Sequence, residues 1–234
     1  MSGPSGRSIS RRARLTLPTF LVLAVGVSAA AQAQGAESSR WAVTVGPEWH
    51  GLIFVGQVNA TETGNGTAPV TVFRTTTRLD SGVGVGAGFG VRATSTLWAE
   101  TTVRYRSPQL VTDVTGDIEG AADTTASESV QQLQVDAGGQ WLVHRWQHGR
   151  LTPYLSGGAG YVRQLLGDDT LVKSGVSGYA GGGLLIELPA RQGGAFRSLA
   201  LRLEARAVWL GSGVTLDGAA HAGPALSTAI VFRR

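Results

Sequence analysis

Glycine and apolar residues alternate without interruption over residues 82–91, in the order GVGVGAGFGV. A period of two is typical of a β-strand, because successive side chains of a strand point to opposite faces. In a helix, a glycine at every second position would be destabilising. The pattern therefore predicts a strand with one bare face of glycines and one apolar face.

The same alternation recurs along the chain, and no long segment repeats apolar residues at helical spacing. The first strand can continue past Pro47 through a bulge or bend. The second can be extended backward to begin near Val70, well beyond a bilayer. The predicted strands are residues 41–45, 70–91, 97–106, 132–143, 151–163, 174–188, 199–209 and 223–232. The sequence thus predicts an all-β fold.

Eight strands make an even number, and their lengths are close to the about 9 to 11 residues that a tilted strand needs to cross a bilayer. With the N-terminus in the periplasm, polar outer connections are predicted at residues 50–80, 107–129, 164–173 and 211–220. The periplasmic connections at residues 94–95, 144–150 and 189–197 are shorter on the whole. This asymmetry predicts an eight-stranded antiparallel up-and-down transmembrane β-barrel.

Aromatic positions bear on the main alternative, a soluble periplasmic lipocalin-like barrel that binds an apolar ligand. A membrane barrel concentrates outward aromatic residues at two interface levels. The predicted outward aromatics at periplasmic strand ends are Trp41, Trp141 and Phe232, and those at outer ends are Tyr105, Tyr161 and Trp209. Phe89 lies nearer mid-strand, and Trp98, Tyr154 and Tyr179 have the opposite parity. The two levels favour the membrane barrel over the soluble carrier.

Charged residues occupy the opposite parity of the same strands. The predicted inward charges are Glu100, Arg104, Arg106, Asp136, Glu187, Arg202, Glu204 and Arg206. The interior of an eight-stranded barrel is just wide enough for side chains to fill it. Because an unpaired buried charge is expensive, a network of paired charges is expected there. We therefore predict a plugged lumen rather than an open pore.

Two segments resemble a known family. Residues 153–161, with the sequence PYLSGGAGY, look like a strand of the small OmpA/OmpX-like outer-membrane β-barrels, and so does the strand from Leu199 to Arg206. One departure is at the C-terminus, where Phe232 is followed by two arginines although the family usually ends on an aromatic residue. The resemblance implies a barrel surrounded by outer-membrane lipid and inserted by the barrel-insertion machinery.

The N-terminus predicts export. Four arginines precede an apolar run over residues 15–30 that closes on Ala31-Gln32-Ala33. We expect residues 1–33 to be a cleaved signal peptide for Sec-type export and residues 34–234 to form the barrel in the bacterial outer membrane. Removing those arginines leaves 16 basic against 16 acidic residues, so the charge gives no reason to expect a nucleic-acid partner. The absence of cysteine excludes disulfides, a thiolate nucleophile and a lipoprotein anchor.

Candidate chemistry is sparse. The glycine patterns lie within strands, whereas a phosphate-binding loop needs a strand before it and a helix after it, so no cofactor is expected. His144 and His148 fall in a periplasmic turn, which predicts no metal site. His50 and His221 are predicted near the outer ends of their strands. With Ser212 and Asp217, either histidine could complete a hydrolytic triad of a lipid-modifying enzyme.

The leading hypothesis is a non-enzymatic outer-membrane protein that supports the envelope or contacts an extracellular partner through its outer loops. The exposed surfaces would be the acidic stretch 113–128 and the Thr/Asn-rich stretch 59–67. The soluble carrier and the lipid-modifying enzyme remain as alternatives.

Overall fold

The computed structural model describes residues 39–63, 68–166, 171–189 and 198–234, so the predicted signal peptide lies outside the described residues. The strands are β1 (Trp41–His50), β2 (Ile53–Glu62), β3 (Val70–Leu79), β4 (Gly82–Arg92), β5 (Leu97–Arg106), β6 (Gln109–Thr115), β7 (Thr124–Leu142), β8 (Leu151–Leu166), β9 (Leu171–Leu188), β10 (Ser198–Leu210) and β11 (His221–Arg233). A short 3-10 helix spans His144–Trp146. In this part of the chain, no helix is long and apolar enough to cross a membrane.

Eight of these strands close into one antiparallel barrel, in the order β1-β4-β5-β7-β8-β9-β10-β11. Closure occurs where the first and last strands pair, with Val43 opposite Phe232. On its other side Val43 lies opposite Phe89 of β4. The predicted eight-stranded up-and-down barrel is confirmed.

The two faces of β4 point to opposite sides of the barrel wall. Its apolar residues face out of the barrel, and Val83 is 69% exposed. Its glycines face the lumen, where a Cβ at Gly88 would lie 2.9 Å from Oε1 of Glu100. The glycines therefore leave room for charged side chains that other strands send inward.

Two outer connections predicted as polar loops are largely strand. Residues 50–80 contain β2 and β3, and residues 107–129 contain β6 and the first part of β7. Together β2, β3, β6 and residues 124–129 of β7 form a four-stranded antiparallel sheet beyond the barrel, called here the protruding sheet. These segments were predicted as loops because their overall composition is polar. Their threonines and valines nevertheless favour β-strands. β3 begins at Val70, where the pattern predicted.

Buried apolar side chains form a cluster towards each end of the lumen. The outer apolar layer consists of Ile53, Val55, Leu79, Val130, Val162, Leu166, Leu210 and Val214. The periplasmic apolar layer consists of Ala42, Trp98, Leu142, Tyr154, Leu185, Ala200 and Val231. The loop between β10 and β11 contributes Val214 and is tied to β2, because the backbone N–H of Leu216 donates to the carbonyl of Val55 at 2.9 Å. Along β1, β7 and β10, the polar inward residues lie between these two layers.

Candidate functional site

The predicted interface aromatics lie at the two ends of the outward face. Trp141 pairs with Leu97 and Leu155 at the periplasmic ends of their strands, and Trp41 and Phe232 begin and end the barrel at the same level. The outer-end set comprises Tyr105, Tyr161 and Trp209, all exposed. Trp49 of β1 is exposed at the outer end as well, and sequence reasoning missed it because the strand was predicted only as far as Val45.

Between these levels the outer wall is apolar. Exposed side chains include Val45, Val85, Val103, Leu155, Val176 and Ile230, which come from six different barrel strands. Water-soluble monomers rarely expose a continuous apolar surface of this extent. A belt of this kind fits the hydrocarbon core of a bilayer.

The lumen contains two groups of charged residues. The group nearer the outer apolar layer, called the outer charged layer, consists of Glu48, His50, Arg104, Arg106, Asp136 and Arg206. Glu48 is its centre, since it accepts a hydrogen bond from Nε of Arg104 at 3.0 Å and also contacts Arg206 and His50. Arg104 bridges to Asp136. One carboxylate thus joins three cationic or titratable side chains from three strands.

The group nearer the periplasm, called the periplasmic charged layer, consists of Glu100, Arg202 and Glu204. Nη1 of Arg202 donates to both oxygens of Glu100 at 2.8 and 2.7 Å. Its Nη2 donates to Glu204 at 2.7 Å, and its Nε donates to the hydroxyl of Tyr154 at 3.0 Å. Ser156 donates to the second oxygen of Glu204 at 2.5 Å. Every group in this layer has a partner of opposite charge.

The three aromatic residues with unexpected parity point into the lumen, where each lies against arginine. The guanidinium-to-ring distances are 5.3 Å for Arg202 and Tyr154, 5.4 and 5.5 Å for Arg104 and Arg206 with Tyr179, and 5.5 Å for Arg233 and Trp98. An arginine over an aromatic face is stabilised by the ring quadrupole, and more so where water is excluded. These residues therefore belong to the lumen and not to the interface levels.

Two predicted network residues stand apart from these ion pairs. Glu187 binds Arg233 at 2.5 Å near the periplasmic end and is separate from the Arg202 pair. Arg106 donates through Nη2 to Oε1 of Gln132 at 3.1 Å, and Gln164 donates to the same oxygen at 3.0 Å. Within the described residues, no carboxylate lies within ion-pair distance of Arg106.

Glu48 and His50 were not predicted as lumen residues. Pro47 obscured them, because proline lacks the N–H that a central strand needs. β1 accommodates it by leaving out ladder pairing to β11 between Val45 and Glu48 while keeping the same register on both sides. The parity of residues 42, 44, 46, 48 and 50 was the signal that could have placed both residues inside.

The histidine candidates for catalysis are separated by the fold. His50 is the last residue of β1, at the outer end of its strand as predicted, but it is 2% exposed and its side chain lies inside the barrel. His221 contacts Asp217 at 2.8 Å and the ring edge of Phe54 at 4.9 Å between centroids. Hydrogen bonds from the backbone N–H of Ala219 and from His221 lower the pKa of Asp217. Among the described residues, Ser212 is hydrogen-bonded to neither.

The periplasmic turn holds the two remaining histidines. The ring of His144 lies 3.2 Å from the carbonyl oxygen of Ser95 and 3.3 Å from Gln147. In the described ranges, no group of three or more His, Asp or Glu side chains is placed to hold a metal ion.

An antiparallel eight-stranded barrel with an apolar exterior and a charged interior defines the class of small outer-membrane β-barrels. The fold resemblance to the OmpA/OmpX-like barrels is confirmed, and the apolar belt agrees with the expected location in the bacterial outer membrane. The described barrel strands do not have the reversed arrangement of a soluble carrier, apolar inside and charged outside.

Comparison with known proteins finds a similar fold. No protein-family model matches the sequence, and no curated protein matches it. Neisserial surface protein A has a similar structure, with a TM-score of 0.51 and 11% identity over 83% of this chain and 97% of that one. Ail of Yersinia pestis, solved with the heparin analogue sucrose octasulfate, has a TM-score of 0.41 and 10% identity over 84% and 99%. AlkL, solved in lipid bilayers, has a TM-score of 0.38 and 13% identity over 87% and 92%.

Proposed function

We propose that this protein is a non-enzymatic outer-membrane barrel with a closed lumen that binds an extracellular partner through its protruding sheet. The observation that carries the proposal is an open strand edge beyond the membrane. Residues 124–129 of β7 pair with β6 on one side, whereas pairing with β8 begins only at Val130, opposite Leu166. Within the described residues, the second edge of this segment has no strand beside it.

An open edge offers backbone N–H and C=O groups to an added strand. Proteins usually protect such edges with proline, lysine, a bulge or a covering loop. The segment 124–129 reads TTASES and contains neither proline nor lysine. Its regular pairing with β6 shows no bulge. Strand addition by an extended segment of a partner is therefore the recognition mode that this edge supports.

Side-chain contacts hold the protruding sheet in shape. Arg78 of β3 contacts Asp113 of β6, and Thr125 of β7 donates to the same carboxylate at 2.7 Å. These hydrogen bonds lower the pKa of Asp113, so it is ionised at neutral pH. A sheet that is ordered before binding loses less conformational entropy when a partner strand is added.

The way side chains fill the lumen supports its closed state. Cavities lined by residues of the charged layers have volumes of about 30, 10 and 10 Å³, room for a few water molecules at most. The outer and periplasmic apolar layers lie towards the two ends of the lumen. In planar bilayers the refolded barrel should show no sustained single-channel conductance. Stable openings would contradict the closed lumen without bearing on the sheet.

The proposal includes two further partners of the barrel, the surrounding lipid and the barrel-insertion machinery. The apolar belt contacts outer-membrane lipid, and the last strand β11 is the segment offered to the barrel-insertion machinery. Phe232 holds the position of the family's terminal aromatic residue, followed by Arg233 and Arg234. Deleting the two arginines removes the Arg233–Glu187 ion pair and the backbone hydrogen bonds of Arg234 to Arg40 and Trp41. The heat-modifiable folded fraction in isolated outer membranes should therefore fall.

The binding role is tested by shortening the edge. Replacing residues 112–126 with Asn-Gly joins Val111 directly to its partner Ser127 through a tight hairpin. It removes residues 124–126 of the open edge together with the strand that pairs with residues 74–77 of β3. Cells displaying the barrel are applied to immobilised extracellular proteins, and binding by wild type should be lost in the shortened variant. A control with residues 117–122 replaced by a Gly/Ser turn of equal length keeps the paired strands and should still bind. Equal binding by both variants would contradict the proposal.

A further inference from the structure

A small cavity inside the barrel lies within the outer charged layer. Its walls include Glu48, His50, Gly84, Arg106 and Gln132, and its volume of about 10 Å³ corresponds to one water-sized particle. Three N positions of the residues that line it have no hydrogen-bond partner among the described residues: Nδ1 of His50 and both Nε and Nη1 of Arg106. Arg106 is only 4% exposed. A buried cation with two nitrogen donors unused is costly unless something binds it.

The charges around the cavity do not balance. The outer charged layer contains three arginines but two carboxylates, those of Glu48 and Asp136. Both carboxylates are already in use, because Arg104 contacts each of them and Arg206 contacts Glu48. Asp136 also accepts hydrogen bonds from Gln134 and Ser177, at 3.0 and 3.2 Å. One positive charge, that of Arg106, is left without a counter-charge in contact.

The missing charge is not available from the other half of the lumen. Glu100 and Glu204 both bind Arg202, so the periplasmic charged layer has one arginine and two carboxylates. These carboxylates come from β5 and β10, whose inward parity places them nearer the periplasmic end than Arg106. The carboxylate that acts electrostatically on Arg106 is that of Glu48, which Arg104, Arg206 and His50 already contact.

We propose that this cavity binds one small monovalent anion of halide size, held by the unpartnered N–H groups of Arg106 with His50 at its side. The glycine at position 84 makes the site possible, because a Cβ there would lie 2.8 Å from Cβ of Arg106 and 2.5 Å from the carbonyl oxygen of Tyr105. The narrow volume excludes polyatomic anions such as sulfate and phosphate. A halide is larger than water, and the long side chains of Arg106 and Gln132 can move by the few tenths of an ångström that it needs.

The direct test is crystallography of the full mature barrel grown in sodium bromide. Bromide scatters anomalously, so an anomalous peak within about 3.5 Å of a guanidinium nitrogen of Arg106 is expected for an N–H donor and a large anion. A cavity that holds only water, with no anomalous peak, would overturn the proposal. This measurement on the wild-type chain does not depend on any variant folding.

The second test measures stability in detergent micelles. The thermal midpoint of wild type should rise with bromide and saturate, relative to gluconate at equal ionic strength, because a ligand that binds the folded state stabilises it. Arg106→Met should abolish the saturable rise, whereas Arg78→Met in the protruding sheet should retain it. Sulfate should raise wild type and Arg106→Met by the same amount, since its general effect needs no site. A bromide effect of equal size in Arg106→Met would contradict the site.

Discussion

The two charged layers of the lumen contain similar residues but pair their buried charges differently. In the periplasmic layer one arginine, Arg202, satisfies two carboxylates and a tyrosine hydroxyl. In the outer layer one carboxylate, Glu48, serves two arginines and a histidine, and a third arginine has only a glutamine. The first arrangement depends on a single cation, whereas the second shares its bonds among several side chains. The number of partners that depend on a charged side chain, more than its burial, determines how much stability is lost when it is removed.

Removing one arginine from each layer should give the largest difference. Arg202→Met leaves Glu100 and Glu204 buried without a cation, and breaking a buried pair in this way costs about 3–5 kcal/mol. Arg206→Met leaves Glu48 bound by Arg104 and His50, so the loss is that of one charged hydrogen bond, about 2 kcal/mol. Urea unfolding in micelles, followed by tryptophan fluorescence, measures both.

A triple variant separates the stranded charge from the lost contact. Arg202→Met combined with Glu100→Gln and Glu204→Gln removes the whole ionic group, and most of the stability lost by the single variant should return. If the triple variant is as unstable as Arg202→Met alone, packing and not charge dominates the periplasmic layer, and the contrast between the layers fails.

The second prediction concerns two glycines on the same inward face of β4. A Cβ at Gly84 would meet the carbonyl oxygen of Tyr105 at 2.5 Å and Arg106 at 2.8 Å, whereas at Gly86 the nearest atom is 3.7 Å away, in Arg104. Gly84→Ala should therefore cost about 1–3 kcal/mol through overpacking. Gly86→Ala should be tolerated and even add about 0.5 kcal/mol by restricting the unfolded chain. The same urea titration measures the stability of both variants. Equal changes would show that the outer charged layer has unfilled space beside Arg106.

These residues also show what the sequence could and could not predict. Parity placed the charges of β5, β7 and β10 inside, because a period of two leaves only two faces to choose from. It could not predict that Arg202 meets Glu100, since the two are 102 positions apart and lie on strands that are not neighbours. That contact depends on the stagger with which the barrel closes, which no local pattern encodes.

The outer end was harder to predict for a different reason. Residues 53–62 and 109–115 lie beyond the bilayer, where both faces of a sheet can meet water and alternation weakens. Their threonines, asparagines and glycines then look like loops. The open edge at residues 124–129 is equally hidden, because an edge is a property of what lies beside a strand and not of the strand itself.

The third prediction compares the two buried tyrosines. Tyr154→Phe removes the hydroxyl that accepts from Nε of Arg202 and donates to the carbonyl of Leu203 at 3.4 Å, so Nε keeps only its bond to Glu204 at 3.1 Å. The expected loss is about 1–2 kcal/mol. Tyr179→Phe keeps the ring beneath Arg104 and Arg206, where the contact is to the face, and should change stability by less than about 0.5 kcal/mol. Equal losses would mean that the hydroxyl of Tyr179 also serves the outer layer.

The smallest effect is expected where the same ion-pair chemistry reaches water, at Asp113 in the protruding sheet. Its pKa is lowered from 3.8 by hydrogen bonds from Thr125 and Arg78, so ionisation favours the folded sheet. The contribution is complete above the unfolded pKa near 4 and is lost as the pH falls through the lower folded value. Amide exchange in residues 111–127 should therefore accelerate, relative to the barrel strands, only in strongly acidic solution. Asp113→Asn should show that faster exchange at every pH, with no acid-dependent step. If wild type also lacks the step, the ion pair of the protruding sheet adds nothing, unlike its buried counterparts.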